Sequence, residues 1–439
     1  MDHKEKQISD IFKKFNFGKV NEALNELVNL IKKNPNTLEY SFAYGKICSQ
    51  MNNLDEAERT FIFLLNKNKN SIAYLKNLYV IYLKKNNLVS AENYILKLLK
   101  INNTDYDALR DLAYLKFLQK NLIEAKKIFE KIKDKIDNDV FALNIYGLIF
   151  YFTNNLSKSI TLFEKAIKLE PNYIDTYNNI GKVCFDQENL EMAFNHFKTA
   201  YKLNKNLPNT LINLGNVLSL KDKNYNAILA YQKALTSIND AKEKAGILAN
   251  ISIAYSRIKD FDNTIKFYKK AIQDNLNNPS LKLSLSYLYL YKNKYCEAWD
   301  LFEEKIKNNK FFKNNYKSEL ISYILKSNQN FTKNDNVLIL REQGIGEEIL
   351  FSSIYGDLIN YSNNVLIETD PRLIKIFERS FNKKIFVKDG KFSNNIQSLK
   401  KFKSVIFAGS LCKKFRKEIF NFKKEAYLIS DIKKDKIIN

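Results

Sequence analysis

Apolar and small residues recur along most of this chain with a period of 34. Small residues stand at Ala23, Ala57, Ala91, Ala125, Ser159, Ala193 and Ala227, then at Thr264 after an insertion of three, and at Ala298. Four residues after each comes a large apolar side chain: Leu27, Phe61, Ile95, Phe129, Phe163, Phe197, Tyr231, Tyr268 and Phe302. Twelve before most of them stand Gly45, Ala113, Gly147, Gly181, Gly215, Ser252 and Ser286, and Ala166, Ala200, Ala234 and Ala271 follow the bulky residue by three. A self-similar period of this length marks an array of small supersecondary units.

The segment LNIYGLIFYFTNNLSKSITLFEKAIKLEP, with Gly147, Phe150, Ser159, Phe163, Ala166 and Pro171, resembles the tetratricopeptide repeat, and the next unit repeats it with Gly181, Ala193, Phe197 and Ala200. The resemblance implies two antiparallel helices per unit. Their close approach needs a small residue on each, with the aromatic filling the space beside it. Nine hairpins over residues 8–308 are expected to stack into a right-handed superhelix whose concave groove takes a protein or peptide. Cys48 and Cys184 share a repeat position with Phe150 and Tyr289 and read as core residues.

Asn179, Asn213 and Asn250 each lie two residues before the small residue of a first helix. Side-chain amides in such a row can hydrogen-bond an extended peptide backbone. They resemble the Asn ladder of O-linked N-acetylglucosamine transferases, and a coincidence in an Asn-rich chain is the competing reading.

Past residue 308 the period changes. Residues 309–334 read as a connector with one helix over Lys317–Lys326, and 335–439 as alternating strands and helices. Strands are predicted at Val337–Leu340, Val365–Glu368, Ile385–Val387 and Ser404–Ala408, and helices at Ile349–Ile359 and Pro371–Ser380. This alternation implies a parallel sheet of Rossmann type with ligands at the carboxyl ends of its strands. The fold class expected is therefore an α-solenoid of helical hairpins followed by a partial α/β lobe.

Between the first strand and its helix runs Arg-Glu-Gln-Gly-Ile-Gly-Glu-Glu, residues 341–348. Gly344 and Gly346 let the backbone approach a ligand, and a helix starting there points N–H groups at negative charge. The turn has neither the third Gly of a dinucleotide fingerprint nor the Lys of a P-loop. Glu368, 22 residues after Gly346, is a candidate ribose ligand in a minority dinucleotide reading.

The stretches NVLILREQGIGEEILFSSIYGDL and VLIETDPRLIKIFERSF resemble bacterial proteins that join tetratricopeptide repeats to a glycosyltransferase domain. YCEAWDLFEEKI, with Tyr295, Trp299, Phe302 and Glu303, is similar to the way those proteins end their repeats, and AGSLCKKFRKEI and Tyr427-Leu428 extend the similarity. The resemblance, shared with heptosyltransferases of the two-lobe GT-B type, implies Glu347 as candidate catalytic base for an acceptor hydroxyl. It implies Gln343, Gly344, Gly346 and Glu348 as substrate-binding. Ser353 and Ile354 stand where the motif has Arg and Tyr.

Composition narrows the picture. With 11 Gly and 5 Pro among 439 residues, tight turns are few and a many-stranded sandwich is disfavoured. No run approaches the roughly 20 apolar residues that cross a bilayer, so a cytoplasmic protein is expected. Cys48, Cys184, Cys296 and Cys412 form no CxxC, and with His3 and His196 alone neither metal nor cofactor is expected. The 71 Lys+Arg against 48 Asp+Glu give +23. That charge accompanies Asn, Ile, Phe and Tyr, all with A/T-rich codons, so biased coding explains it better than a nucleic-acid or anionic-membrane partner.

The function expected is a protein-interaction scaffold fused to a glycosyltransferase-type acceptor lobe. The chain ends about a hundred residues into that lobe, with no second phosphate-binding turn, so donor binding and independent transferase activity are not expected. The alternative is an active transferase using a nucleotide-sugar, completed by a separate donor-binding lobe.

Overall fold

The structure, a computed structural model, describes residues 3–308, 318–326, 330–342 and 344–430. The chain divides by packing into two units, 1–205 and 206–439. Gln343, residues 309–317 and the last nine residues lie outside the described part.

The first unit holds six helical hairpins, from His3–Asn16 with Val20–Lys33 to Ile174–Asp186 with Leu190–Leu203. The second holds three more, Pro208–Leu220 with Asn224–Leu235, Ala241–Arg257 with Phe261–Asp274, and Pro279–Tyr291 with Tyr295–Phe302, followed by the sheet region. Sequence reading ends the repeats at 308, whereas packing groups the last three hairpins with the sheet. One reason is that Tyr295, Trp299 and Phe302 share a core with Val337, Ile339 and Ile406.

Each hairpin is closed by volume matching. The nine small residues of the second helices are 0–1% exposed. A Cβ added to Gly147 or Gly181 would lie 2.6 Å from the ring of Phe163 or Phe197, and one on Gly45 or Gly215 would likewise lie under 3 Å from the ring of Phe61 or Tyr231. Where the first helix carries a large residue, Ile11 or Tyr79, the second carries an aliphatic one, Leu27 or Ile95, and all four are buried. Native packing density leaves no room for two large groups at one crossing.

The turns repeat as well. Asn52, Asn86, Lys120, Asn154, Glu188, Asp222, Lys259 and Asn293 all have φ between 56° and 63°, and Gly18, one period earlier, has φ 80°. The next residue's N–H returns to a carbonyl five back, as in Asn53 to Cys48 at 2.9 Å and Asn155 to Phe150 at 2.8 Å. This is the left-handed C-cap that ends a helix. Asn53, Asn87, Asn121, Asn155 and Asn189 then cap the second helices through their side-chain oxygens. Codon bias is thus an incomplete account of the Asn content, because these residues do local work that Asn does well.

In the second unit, β1 (Val337–Leu340), β2 (Val365–Thr369), β3 (Phe386–Lys388) and β4 (Ser404–Phe407) form a parallel sheet in the order β3-β2-β1-β4. β1 and β4 are buried along their whole length, as continuous apolar strands require. Leu338 and Leu340 pack with Ile306, Leu320 and Ile324, and Val337 and Ile339 with Tyr355, Leu358 and Phe377.

One predicted element differs. The single helix expected over Ile349–Ile359 is two, Ile345–Ser352 and Tyr355–Tyr361. Arg416 donates to the Ser353 carbonyl at 2.9 Å and Ser352 Oγ to the Ile349 carbonyl at 2.7 Å, giving backbone acceptors partners outside the helical ladder.

Candidate functional site

The turn after β1 sits at the carboxyl end of the sheet. Gly344 is the N-cap of the helix Ile345–Ser352, and Glu347 and Glu348 lie in its first turn. A Cβ at Gly344 or Gly346 would meet nothing within 4 Å, so both leave the backbone surface open on that side.

The two carboxylates part company. Glu347 is half-buried near Tyr287, whose hydroxyl is held above its ordinary pKa by burial first and by the Glu347 charge second. Glu348, expected on the substrate side, is buried and occupied. Its Oε2 accepts from Thr369 Oγ1 at 2.6 Å and from the Asp370 N–H at 3.0 Å, and its Oε1 lies 2.7 Å from Arg341 Nε. Burial raises its pKa. Arg341 also pairs with Asp370 at 3.6 Å and with Asp389 at 2.6 Å, so one guanidinium ties together residues following β1, β2 and β3.

Glu368 is likewise committed. Its carboxylate accepts from the N–H groups of Gly390, Phe392 and Ser393 and from Ser393 Oγ. Four donors from the loop after β3 saturate it, which overturns the ribose-ligand reading.

Sequence reasoning passed over Glu342. It is fully buried, pairs with Lys305 and accepts from the Gly409 N–H. Lys305 also lies 4.1 Å from the Phe302 ring centroid and 4.8 Å from that of Phe351. A Cβ on Gly409 would come within 2.6 Å of Glu342 Oε1. The signal was an acidic residue two positions past an apolar strand, and a basic one three positions past the end of the last hairpin.

Of the three asparagines singled out from the sequence, two donate across hairpins. Asn179 Nδ2 reaches Asn144 Oδ1 at 3.1 Å, and Asn250 Nδ2 reaches Asn216 Oδ1 at 3.3 Å. Asn144 also donates to Thr176 Oγ1, and Tyr231 donates to Asn216. Asn213 is half-buried on the same helix as Asn216. Asn144 and Asn216, not singled out by the sequence, complete each step.

Among the described residues no group of three or more His, Cys, Asp or Glu is placed to hold a metal, and no helix is long and apolar enough to cross a membrane. Cys48 and Cys184 are buried, as their repeat position required.

These features define a helical-hairpin repeat protein carrying a small parallel sheet. Residues 147–185 match the family model described as TPR repeat, and residues 174–207 the model described as tetratricopeptide repeat; these stretches are tetratricopeptide repeats. No curated protein matches the chain. Among solved structures it is similar to a tetratricopeptide repeat protein from Parabacteroides merdae ATCC 43184, with 19% identity, TM-score 0.48, and 57% of this chain and 98% of that one covered. It is also similar to the APC/C hetero-tetramer Cut9-Hcn1, with 17% identity, TM-score 0.42 and coverages of 72% and 69%. A third is pilF of Pseudomonas aeruginosa, with 18% identity, TM-score 0.42 and coverages of 52% and 97%.

Proposed function

We propose that this chain is a protein-interaction scaffold whose first helices hold an extended segment of a partner polypeptide. The observation that carries the reading is the pairing of amides one hairpin apart, buried Asn144 with half-buried Asn179, and Asn216 with Asn250, both half-buried. Within each unit adjacent first helices pack roughly 10 Å apart, and an extended strand rises about 3.3 Å per residue, so successive helices of one unit meet about every third peptide unit. The inter-hairpin bond orients each amide in advance, which lowers the ordering cost of binding. Binding of an arrayed set of unstructured peptides to the full chain, read by fluorescence anisotropy, is the test. For any peptide that binds, Asn250→Ala weakens affinity by about fivefold to tenfold, the worth of one hydrogen bond. Unchanged affinity in both Asn179→Ala and Asn250→Ala removes the reading.

A second reading concerns the lobe after residue 335. What supports it is the parallel strand order β3-β2-β1-β4, the same as the first four strands of a doubly wound sheet, whose ligands sit where the order reverses, beside β1. In this reading the lobe is the acceptor side of a glycosyltransferase, Gly344 and Gly346 admit the substrate, and Glu347 takes the proton of an acceptor hydroxyl. Its support is the open backbone at both glycines. Calorimetry with uridine- and guanosine-diphosphate sugars tests it. Absence of donor binding agrees with an acceptor-side lobe alone, whereas micromolar binding abolished by Gly346→Val would put a donor site in this chain and favour the transferase alternative.

A further inference from the structure

The segment from Leu411 to Glu425, which follows β4, carries Lys413, Lys414, Arg416, Lys417, Lys423 and Lys424 against Glu418 and Glu425. Two adjoining crevices of about 470 and 660 Å³ share Lys414 and Lys417 in their walls. Lys413 pairs with Asp300, and Arg416 and Lys423 both pair with Asp357. Among the described residues the Lys414 ammonium finds only neutral hydrogen-bond partners, the Phe331 carbonyl at 3.1 Å and the Tyr361 hydroxyl at 3.2 Å. With Lys333 and Lys417, both exposed, it leaves an excess of positive charge on one face.

Beside this charge stand two large apolar side chains in water. Phe420 is 79% and Ile419 60% exposed. They are held there rather than frayed. The short turn Ile419–Asn421 is closed by the Glu418 N–H donating to Asn421 Oδ1 at 2.8 Å. Phe422 anchors it, its ring 5.0 Å from that of Tyr295 and 5.6 Å from the Arg416 guanidinium. Next to it the Trp299 indole N–H donates to the Arg416 carbonyl at 2.6 Å.

We propose that this face docks on an anionic phospholipid surface, with Ile419 and Phe420 entering the headgroup boundary and Lys333, Lys414 and Lys417 facing lipid phosphates. A soluble anion would account for the lysines but not for a rigidly presented Ile-Phe tip among them. An interfacial site needs both, because apolar insertion and attraction to anionic headgroups act together. Each basic side chain near such a surface contributes about a fivefold factor in binding.

The test uses the full chain and sedimentation with vesicles of phosphatidylcholine alone or containing 30 mol% phosphatidylglycerol. The expected result is binding to the anionic vesicles and none to the neutral ones. The double variant Ile419→Ser with Phe420→Ser is expected to lower binding at least about tenfold, and Lys333→Glu with Lys417→Glu to lower it at least about 25-fold. Both pairs are exposed, so the unfolding temperature stays constant in each. The chain carries +23 overall, so attraction spread over the molecule is the alternative explanation, and it predicts that the Ser variant binds like wild type. That outcome, or no binding to anionic vesicles, overturns the proposal. Tighter binding to a short DNA duplex than to vesicles, retained by the Ser variant, also overturns it and assigns the face to a polyanion.

Discussion

Lys305, on the short helix Glu304–Asn308, and Glu342, two residues past β1, form an ion pair buried on both sides. The pair joins the end of the repeats to the carboxyl end of the sheet within one unit, with Phe302 and Phe351 closing over the ammonium. A buried pair is held by its completeness, since either charge left alone pays the full cost of desolvation.

Glu342→Gln is therefore expected to destabilise the second unit by about 3–5 kcal/mol, by stranding the Lys305 charge. Adding Lys305→Met should recover most of the loss, because Gln still accepts from the Gly409 N–H. Gly409→Ala should cost about 1–3 kcal/mol by pushing into the pair. Urea unfolding of the full chain reads all three, and additive losses in the double variant would contradict the coupling.

The hairpin crossings make a second prediction. Gly181→Leu drives a side chain into Phe197 and should cost at least about 1–3 kcal/mol. Lys182→Leu beside it removes an ammonium 5.4 Å from the Tyr151 ring and 5.8 Å from that of Phe152, a loss of about 0.5–1 kcal/mol. Thermal unfolding that ranks the two equally would show a different repeat register.

Three turn positions carry residues poorly suited to φ near 60°. Lys120→Gly, Glu188→Gly and Lys259→Gly should each stabilise the fold by up to about 1 kcal/mol, by relieving the left-handed strain of a Cβ. Asn154→Gly should gain less, since Asn tolerates that region. The comparison needs only midpoints of denaturant unfolding at constant slope.

Asp370 supplies a pH-dependent prediction. It caps the helix Pro371–Phe381 and takes a two-pronged contact from Arg372 at 2.8 and 2.9 Å, which holds its carboxyl well below the usual 3.8, with burial opposing. A depressed carboxyl contributes stability above its unfolded value and loses it as pH falls through the folded one. Asp370→Asn should thus cost about 1 kcal/mol at pH 7, and the gap should close as pH drops below about 4. Glu348 has the opposite sign. Burial raises it above 4.5, so its contribution is present at lower pH and is lost as pH rises through the raised value. The wild-type and variant unfolding free energies compared at pH 3 and pH 7 isolate the Asp370 part.

Periodicity settled the hairpins before any coordinates. A small residue at Ala193 and a bulky one at Phe197 recur because local helix geometry and close packing act within 34 residues, and that information is written contiguously. The strands were equally legible, as Val337–Leu340 shows, because a strand buried on both faces must be an unbroken apolar run. The turn asparagines, such as Asn154-Asn155, were readable too, and went unnoticed behind the composition of the whole chain.

Tertiary structure alone decided the fate of the acids. Glu347 and Glu348 are neighbours of identical type, yet one is half-buried beside the open glycines and the other is tied to Thr369, Asp370 and Arg341. Glu368 is consumed by a loop more than twenty residues away, and Glu342 by a lysine 37 residues earlier. The sequence states that a carboxylate is present. Which donors reach it depends on distances between segments far apart in the chain, and those distances fix its burial and its charge.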